Sequence, residues 1–181
     1  DGRGLQVLLT REPGGTRAAE AIRKLLLHVH EPMEPMTEVY LYCAARNEHL
    51  EKIILPALEE DYIVISDRFY DSTIAYQGGG RCLGIGRMKE ANRLFIEQGP
   101  PDPTVSSEAS LDVVEKRMSH KELDRMEKEG MGFMAKVRDG YMDIIRDEPE
   151  RFCVINGDQK IEDIADQVLK KVEEKLYHAG R

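Results

Sequence analysis

The run Tyr62-Ile63-Val64-Ile65-Ser66 shows no alternation of polar and apolar positions, and it ends directly on Asp67-Arg68. A strand that buries both of its faces has this character, and such strands occur in parallel sheets covered by helices. Leu5 to Leu9 and Phe152 to Ile155 are short apolar runs of the same kind. The stretches between them carry helical spacing. This alternation predicts an α/β fold, with a mostly parallel sheet flanked by helices on both faces. Ligands of such folds bind at the carboxyl ends of the strands, which makes Asp67 and Arg68 candidate site residues.

The spacing predicts a helix over 18–29 after the turn Arg11-Glu12-Pro13-Gly14-Gly15, with Thr16 as its N-cap and Glu20 near the capping-box position. A second helix is expected over 37–58, capped by Thr37 and kinked near Pro56. Gly78-Gly79-Gly80-Arg81 reads as a flexible loop, and 88–98 as a helix stopped by Gly99-Pro100-Pro101. Residues 104–109 fall where a strand is due, but Ser106, Ser107 and Glu108 make a poor one. A helix over 111–118, a charged segment, a long helix over 127–146 and a closing amphipathic helix over 161–177 complete one domain.

A chain of 181 residues suffices for one such domain. Its net charge of −8 argues against a general nucleic-acid polymer binder. No apolar run approaches the roughly 20 residues needed to cross a membrane. The opening Asp1-Gly2-Arg3-Gly4 has no signal-peptide character, and the expectation is a cytoplasmic protein. Cys43, Cys82 and Cys153 fit reduced, buried or half-buried thiols, and the five histidines read as surface residues without ligand spacing.

Asp67 suits a magnesium ion or its water shell, and Arg68 suits a phosphate. Ser72, Thr73, Tyr76 and Gln77 repeat polar groups along the helix that follows, more than packing alone requires. Arg11 stands in a Gly-rich turn before a helix start, where backbone N–H groups and a guanidinium can converge on an anion. Tyr42 and Arg46 lie four residues apart on one helix face, so a ring and a guanidinium can meet a base together. Taken singly, Arg11 also fits a solvated turn, and Tyr42 and Arg46 fit an ordinary core-and-rim helix. The stretch around Arg125 reads either as a lid whose cations close over phosphate or as a solvated connection.

As a set these stretches resemble bacterial thymidylate kinase. The match is carried by Thr10-Arg11-Glu12-Pro13-Gly14-Gly15-Thr16, Leu41-Tyr42-Cys43-Ala44-Ala45-Arg46, Asp67-Arg68-Phe69, Ser72 with Ala75-Tyr76-Gln77-Gly78, Pro101-Asp102, and Glu122-Leu123-Asp124-Arg125-Met126-Glu127. The resemblance implies a P-loop kinase-like fold, ATP and magnesium, thymidine monophosphate as acceptor, and a cytoplasmic homodimer serving dTTP synthesis. It implies that Tyr42 stacks on thymine, Arg46 reads a base carbonyl, Thr73 and Gln77 surround the base, and Tyr76 faces the deoxyribose. Arg68 would hold the acceptor phosphate, with Arg11 nearby and Asp67 near magnesium. Arg125 would belong to a lid at 117–127, and Asn156-Gly157 to the adenine site.

The family's opening strand and its Gly-x-x-x-x-Gly-Lys-Ser/Thr loop have no counterpart in these residues. On this reading the chain begins at the family's second strand, and a protein starting at Asp1 would have almost no ATP binding. Two alternatives therefore stay open. One is a kinase for another nucleoside monophosphate, and the other is a non-catalytic nucleotide-binding homologue. Replacing Arg46 by Ala is expected to harm nucleotide binding far more than stability.

Overall fold

The structure, a computed structural model, describes residues 4–29, 31–98, 100–120 and 122–178, with side chains through Leu176. His30, Gly99, Lys121, the chain ends and the side chains of Tyr177 and His178 lie outside the described residues.

Strand β1 (Val7–Arg11) leads into α1 (Arg17–His28). Thr16 Oγ1 accepts the N–H of Ala19 at 3.1 Å, so Thr16 is the N-cap. Glu20 stands one place beyond the capping-box position and turns back to the preceding loop. Helix α2 (Pro35–His49) starts two residues before Thr37, with Pro35 at its first position, where a missing N–H costs nothing. It continues through a π-helical stretch, Leu50–Ile54, into α3 (Leu55–Glu59). The wider turn lies just upstream of Pro56 and absorbs the clash that a proline ring would create in a regular helix.

Strand β2 (Ile63–Asp67) pairs in parallel with β1, and its register sets Arg11 opposite Asp67. Helix α4 (Tyr70–Thr73) follows and widens into a π-helical segment, Ile74–Gly80. The glycines expected to form a loop thus belong to a packed helical turn. The reason is space. A Cβ on Gly79 would lie 2.7 Å from the Lys136 carbonyl oxygen and 3.1 Å from the Gly140 Cα.

The helix expected over 88–98 is divided into α5 (Ile85–Ala91) and α6 (Arg93–Glu97), with Asn92 at the break. Strand β3 (Thr104–Glu108) is regular despite its polar sequence and pairs in parallel with β4 (Phe152–Asn156). Its serines are tolerated because none is fully buried. Helix α7 (Leu111–Met118), α8 (Met131–Asp147) and α9 (Ile161–His178) complete the chain, α8 beginning after Gly130 at φ 85°.

Among the described residues the strands form two separate two-stranded parallel sheets, β1–β2 and β3–β4. The core lies among α2, the 70–80 segment, α5, α6 and α8, and includes Val39, Ile74, Met88, Phe95, Val137 and Ile144. Leu9 and Ile65, partners in the register, are exposed on the β1–β2 sheet, as is Val154 on β4. Arg151 joins the halves. Its guanidinium donates twice to Asp71 in α4, at 2.8 Å each, and once to Thr104 Oγ1 at the start of β3, at 3.0 Å.

Gly79→Ala is expected to lower stability by about 1–3 kcal/mol, because backbone rather than a flexible side chain must move. Urea unfolding, with a lower midpoint at unchanged slope, checks this.

Candidate functional site

Chain direction changes sharply at the end of β2. Arg68 has φ 72°, a left-handed conformation that costs a non-glycine residue about 1–2 kcal/mol. Ser66 Oγ steadies the turn by donating to the Arg68 carbonyl at 2.8 Å. The turn brings the Arg68 guanidinium 5.0 Å from the Tyr76 ring centroid, with Nη2 3.3 Å from the Tyr76 hydroxyl. Backbone strain at a phosphate-binding candidate is thus held by neighbours on both sides. Tyr76 in turn packs edge-on against Tyr141, whose hydroxyl meets Ser72 Oγ at 2.8 Å.

Arg46 is only 2% exposed, not a rim residue. Its Nε donates to Glu12 Oε2 at 2.8 Å, Nη1 to Asn92 Oδ1 at 2.7 Å, and Nη2 to Thr73 Oγ1 at 3.0 Å. Phe69 and Phe95 lie 5.5 and 5.6 Å from its central carbon. A guanidinium has five N–H hydrogens, so one on each Nη is left over for a ligand. His49 corrects the reading of the histidines as surface residues. It is fully buried, with Nδ1 3.2 Å from Glu12 Oε1 and Nε2 2.6 Å from the Thr10 hydroxyl. Glu12, bonded to both Arg46 and His49, is the hub that couples β1 to α2.

A cavity of about 90 Å³ gathers Tyr42, Arg46, Arg68, Thr73, Tyr76 and Gln77, all six candidates for acceptor binding. Burial, reinforced by the Glu38 carboxylate, pushes the Tyr42 phenol up to about 12. A larger cavity, about 420 Å³, lies between Leu27, Glu31, Pro32, Arg81, Arg125 and Lys128, and it contains none of those six. Chemistry therefore singles out the smaller one.

Other candidates fall elsewhere. Arg125 turns away from the 90 Å³ cavity: Nε donates to the Leu26 carbonyl and Nη1 to Glu38, both at 2.7 Å. Its neighbours Asp124, Met126 and Glu127 line that cavity instead. Arg11 does not line it. Its Nη2 reaches Glu20 Oε1 at 3.1 Å, and that same oxygen accepts the Gly15 N–H at 3.2 Å. A carboxylate thus occupies the anion cradle expected of this loop. Asp67 is exposed at the tip of β2. Asn156 and Gly157 stand at the end of β4, where a Cβ on Gly157 would lie 2.9 Å from the Glu108 carbonyl. Cys82 is exposed rather than half-buried, and all three cysteines are free. Glu12, Glu38, His49 and Asn92 were not legible as site residues. Asn92, a poor helix former inside a helical run, offered the one hint.

A cleft at the carboxyl end of parallel strands, with arginines and a ring in its wall, defines an α/β protein of the phosphate-handling class. Residues 1–168 match the family model for thymidylate kinase. The chain is 42% identical to the thymidylate kinase of Lactobacillus acidophilus over 176 residues, covering 94% of this chain and 81% of that protein. It is 40% identical to that of Bacillus cytotoxicus, covering 97% of this chain and 86% of the relative. The crystal structure of thymidylate kinase from Ehrlichia chaffeensis superposes with a TM-score of 0.74 at 36% identity, covering 93% of this chain and 80% of that one. The chain belongs to the thymidylate kinase family.

Two outcomes follow from burial. Arg46→Ala strands Glu12 and is expected to cost about 3–5 kcal/mol of stability, so the idea that it would chiefly affect binding is revised; chemical unfolding measures this. Tyr42, Tyr70 and Tyr141 are each raised to about 12, mainly by burial. Each phenol is protonated in both states below its ordinary value of 10.0, so stability is complete there. Above it the unfolded chain ionises first, and stability falls until the folded value near 12 is passed. Tyrosinate absorbance, in a protein without Trp, should show these three phenols ionising late.

Proposed function

We propose that the chain phosphorylates thymidine monophosphate, moving the γ-phosphoryl group of ATP onto the acceptor phosphate with magnesium present. The observation that carries this reading is the gathering of Tyr42, Arg46, Arg68, Thr73, Tyr76 and Gln77 around one cavity, in a member of this family.

The chemistry of these residues supports the roles that the family resemblance implies. Tyr42 remains neutral at physiological pH and offers a ring for stacking. Arg46 has N–H hydrogens to spare for a base carbonyl, while Thr73 and Gln77 complete the base wall. Tyr76 faces the sugar and carries Arg68 on its face. Arg68 takes the acceptor phosphate through charge-assisted hydrogen bonds. Phosphoryl transfer needs in-line positioning and positive charge more than covalent work by the protein, and Arg68 supplies that charge from the acceptor side.

Asp67 fits magnesium as a single exposed carboxylate, since this ion commonly keeps waters and phosphate oxygens as its other ligands. Bound there, magnesium supplies positive charge at the phosphates. Asn156 and Gly157 at the end of β4 are assigned to the adenine side, and Arg11 to the phosphates once Glu20 releases it. Arg125 serves this reading as the anchor of the 117–127 segment. A cytoplasmic homodimer accompanies the proposal by family resemblance.

A coupled ADP-release assay on the full protein tests it. Thymidine monophosphate should be the preferred acceptor, and ready turnover of a different monophosphate in its place would sink the reading. Arg68→Ala should lose about 1.5–3 kcal/mol of transition-state binding, roughly 10- to 150-fold in kcat/KM.

A further inference from the structure

Gln77 is fully buried and lines the 90 Å³ cavity. Its two amide ends are in opposite states. Nε2 donates to Glu38 Oε2 at 3.2 Å, while Oε1 is buried with no hydrogen-bond partner. The amide cannot reverse, because an ionised carboxylate accepts hydrogen bonds and donates none. Glu38 is itself fully buried in the first turn of α2, outside the cavity wall. It is held as a carboxylate site by two guanidinium groups: Arg81 Nη2 at 2.9 Å and Nε at 3.2 Å, and Arg125 Nη1 at 2.7 Å.

We propose that Glu38, without touching a ligand, is the positioning residue that sets the donor–acceptor polarity of the base wall, by taking Nε2 of Gln77 and leaving Oε1 as an acceptor for a ring N–H. This deepens the reading above and rests on the cavity holding a pyrimidine monophosphate. Thymine and uracil both carry an N3–H donor. Cytosine has a bare acceptor at N3 beside a 4-amino group, so Oε1 meets a lone pair instead of a hydrogen. An unpartnered buried acceptor is costly, and an arriving N–H removes that cost only for the right base. Glu38 thus excludes cytosine while making no distinction between thymine and uracil, and its bond to Arg125 ties that choice to the 117–127 segment.

The test measures equilibrium binding of dTMP, dUMP and dCMP to the full protein, its Glu38→Gln and Gln77→Met variants and the double variant, with circular dichroism to verify folding. A carboxamide at 38 can donate as well as accept, so Gln77 is free to turn over. The dTMP:dCMP affinity ratio should fall about tenfold or more in Glu38→Gln. The dTMP:dUMP ratio should stay within twofold, and Glu38→Gln should change neither ratio further in the Gln77→Met background. Merely structural damage would add to the loss in that background and would weaken all three nucleotides together. Should Glu38→Gln fail to fold, Glu38→Asp keeps the charge between the two arginines, withdraws the carboxylate from Gln77 and should lower the same ratio. An unchanged dTMP:dCMP ratio in a folded Glu38 variant overturns the proposal. A wild-type protein with no preference for dTMP over dCMP overturns the substrate reading itself, and the proposal with it.

Discussion

One buried guanidinium organises this molecule. Arg46 links the end of β1 through Glu12, the α5–α6 break through Asn92, and α4 through Thr73, and the Phe69 and Phe95 rings lie 5.5 and 5.6 Å from its central carbon. Burying a charge is unfavourable unless every partner is in place. With the partners assembled, the remaining Arg46 N–H groups have set directions, and the cavity wall they belong to is held by those bonds. Preorganisation of this kind lowers the cost of binding.

A second charged cluster performs the corresponding task between the sheets. Arg151 stands between Asp71 and Thr104, with the Tyr70 and Phe152 rings 5.5 and 4.5 Å from its guanidinium. The β1–β2 and β3–β4 pairs share no hydrogen bonds among the described residues, so side chains carry the connection. The cavity-lining residues of α4, Ser72 and Thr73, sit directly beside this clamp, so sheet geometry and cavity geometry are set by neighbouring residues.

The parallel α/β plan and the Thr16 cap were legible in the chain as an apolar run and a capping oxygen. Arg68, Thr73, Tyr76 and Gln77 stood out as polar groups at and after a strand end, whereas Tyr42 and Arg46 were favoured as site residues only by the family resemblance. What escaped depends on contacts distant in sequence. His49 looked like one more surface histidine, since nothing near it reveals Thr10 and Glu12 overhead. Gly79 and Gly80 carry the composition of a loop, and only the approach of α8 makes them a helical turn. Arg125 lies in a charged stretch where a lid was a fair reading, yet Glu38, 87 residues away, holds its guanidinium. Polar β3 succeeded as a strand because its serines are half-buried or exposed.

The Glu20 carboxylate, seated on Arg11 and the Gly15 N–H, behaves as a tethered competitor. A tethered group acts at an effective concentration of millimolar or more, without the loss of translational freedom that a free anion meets. An incoming anion gains there only the difference between its own contacts and those of the occupant. A dianionic phosphate has that advantage over a single carboxylate, whereas chloride or a free carboxylate does not. An anion that displaces Glu20 must therefore bring more than one carboxylate's charge to Arg11 and the Gly15 N–H.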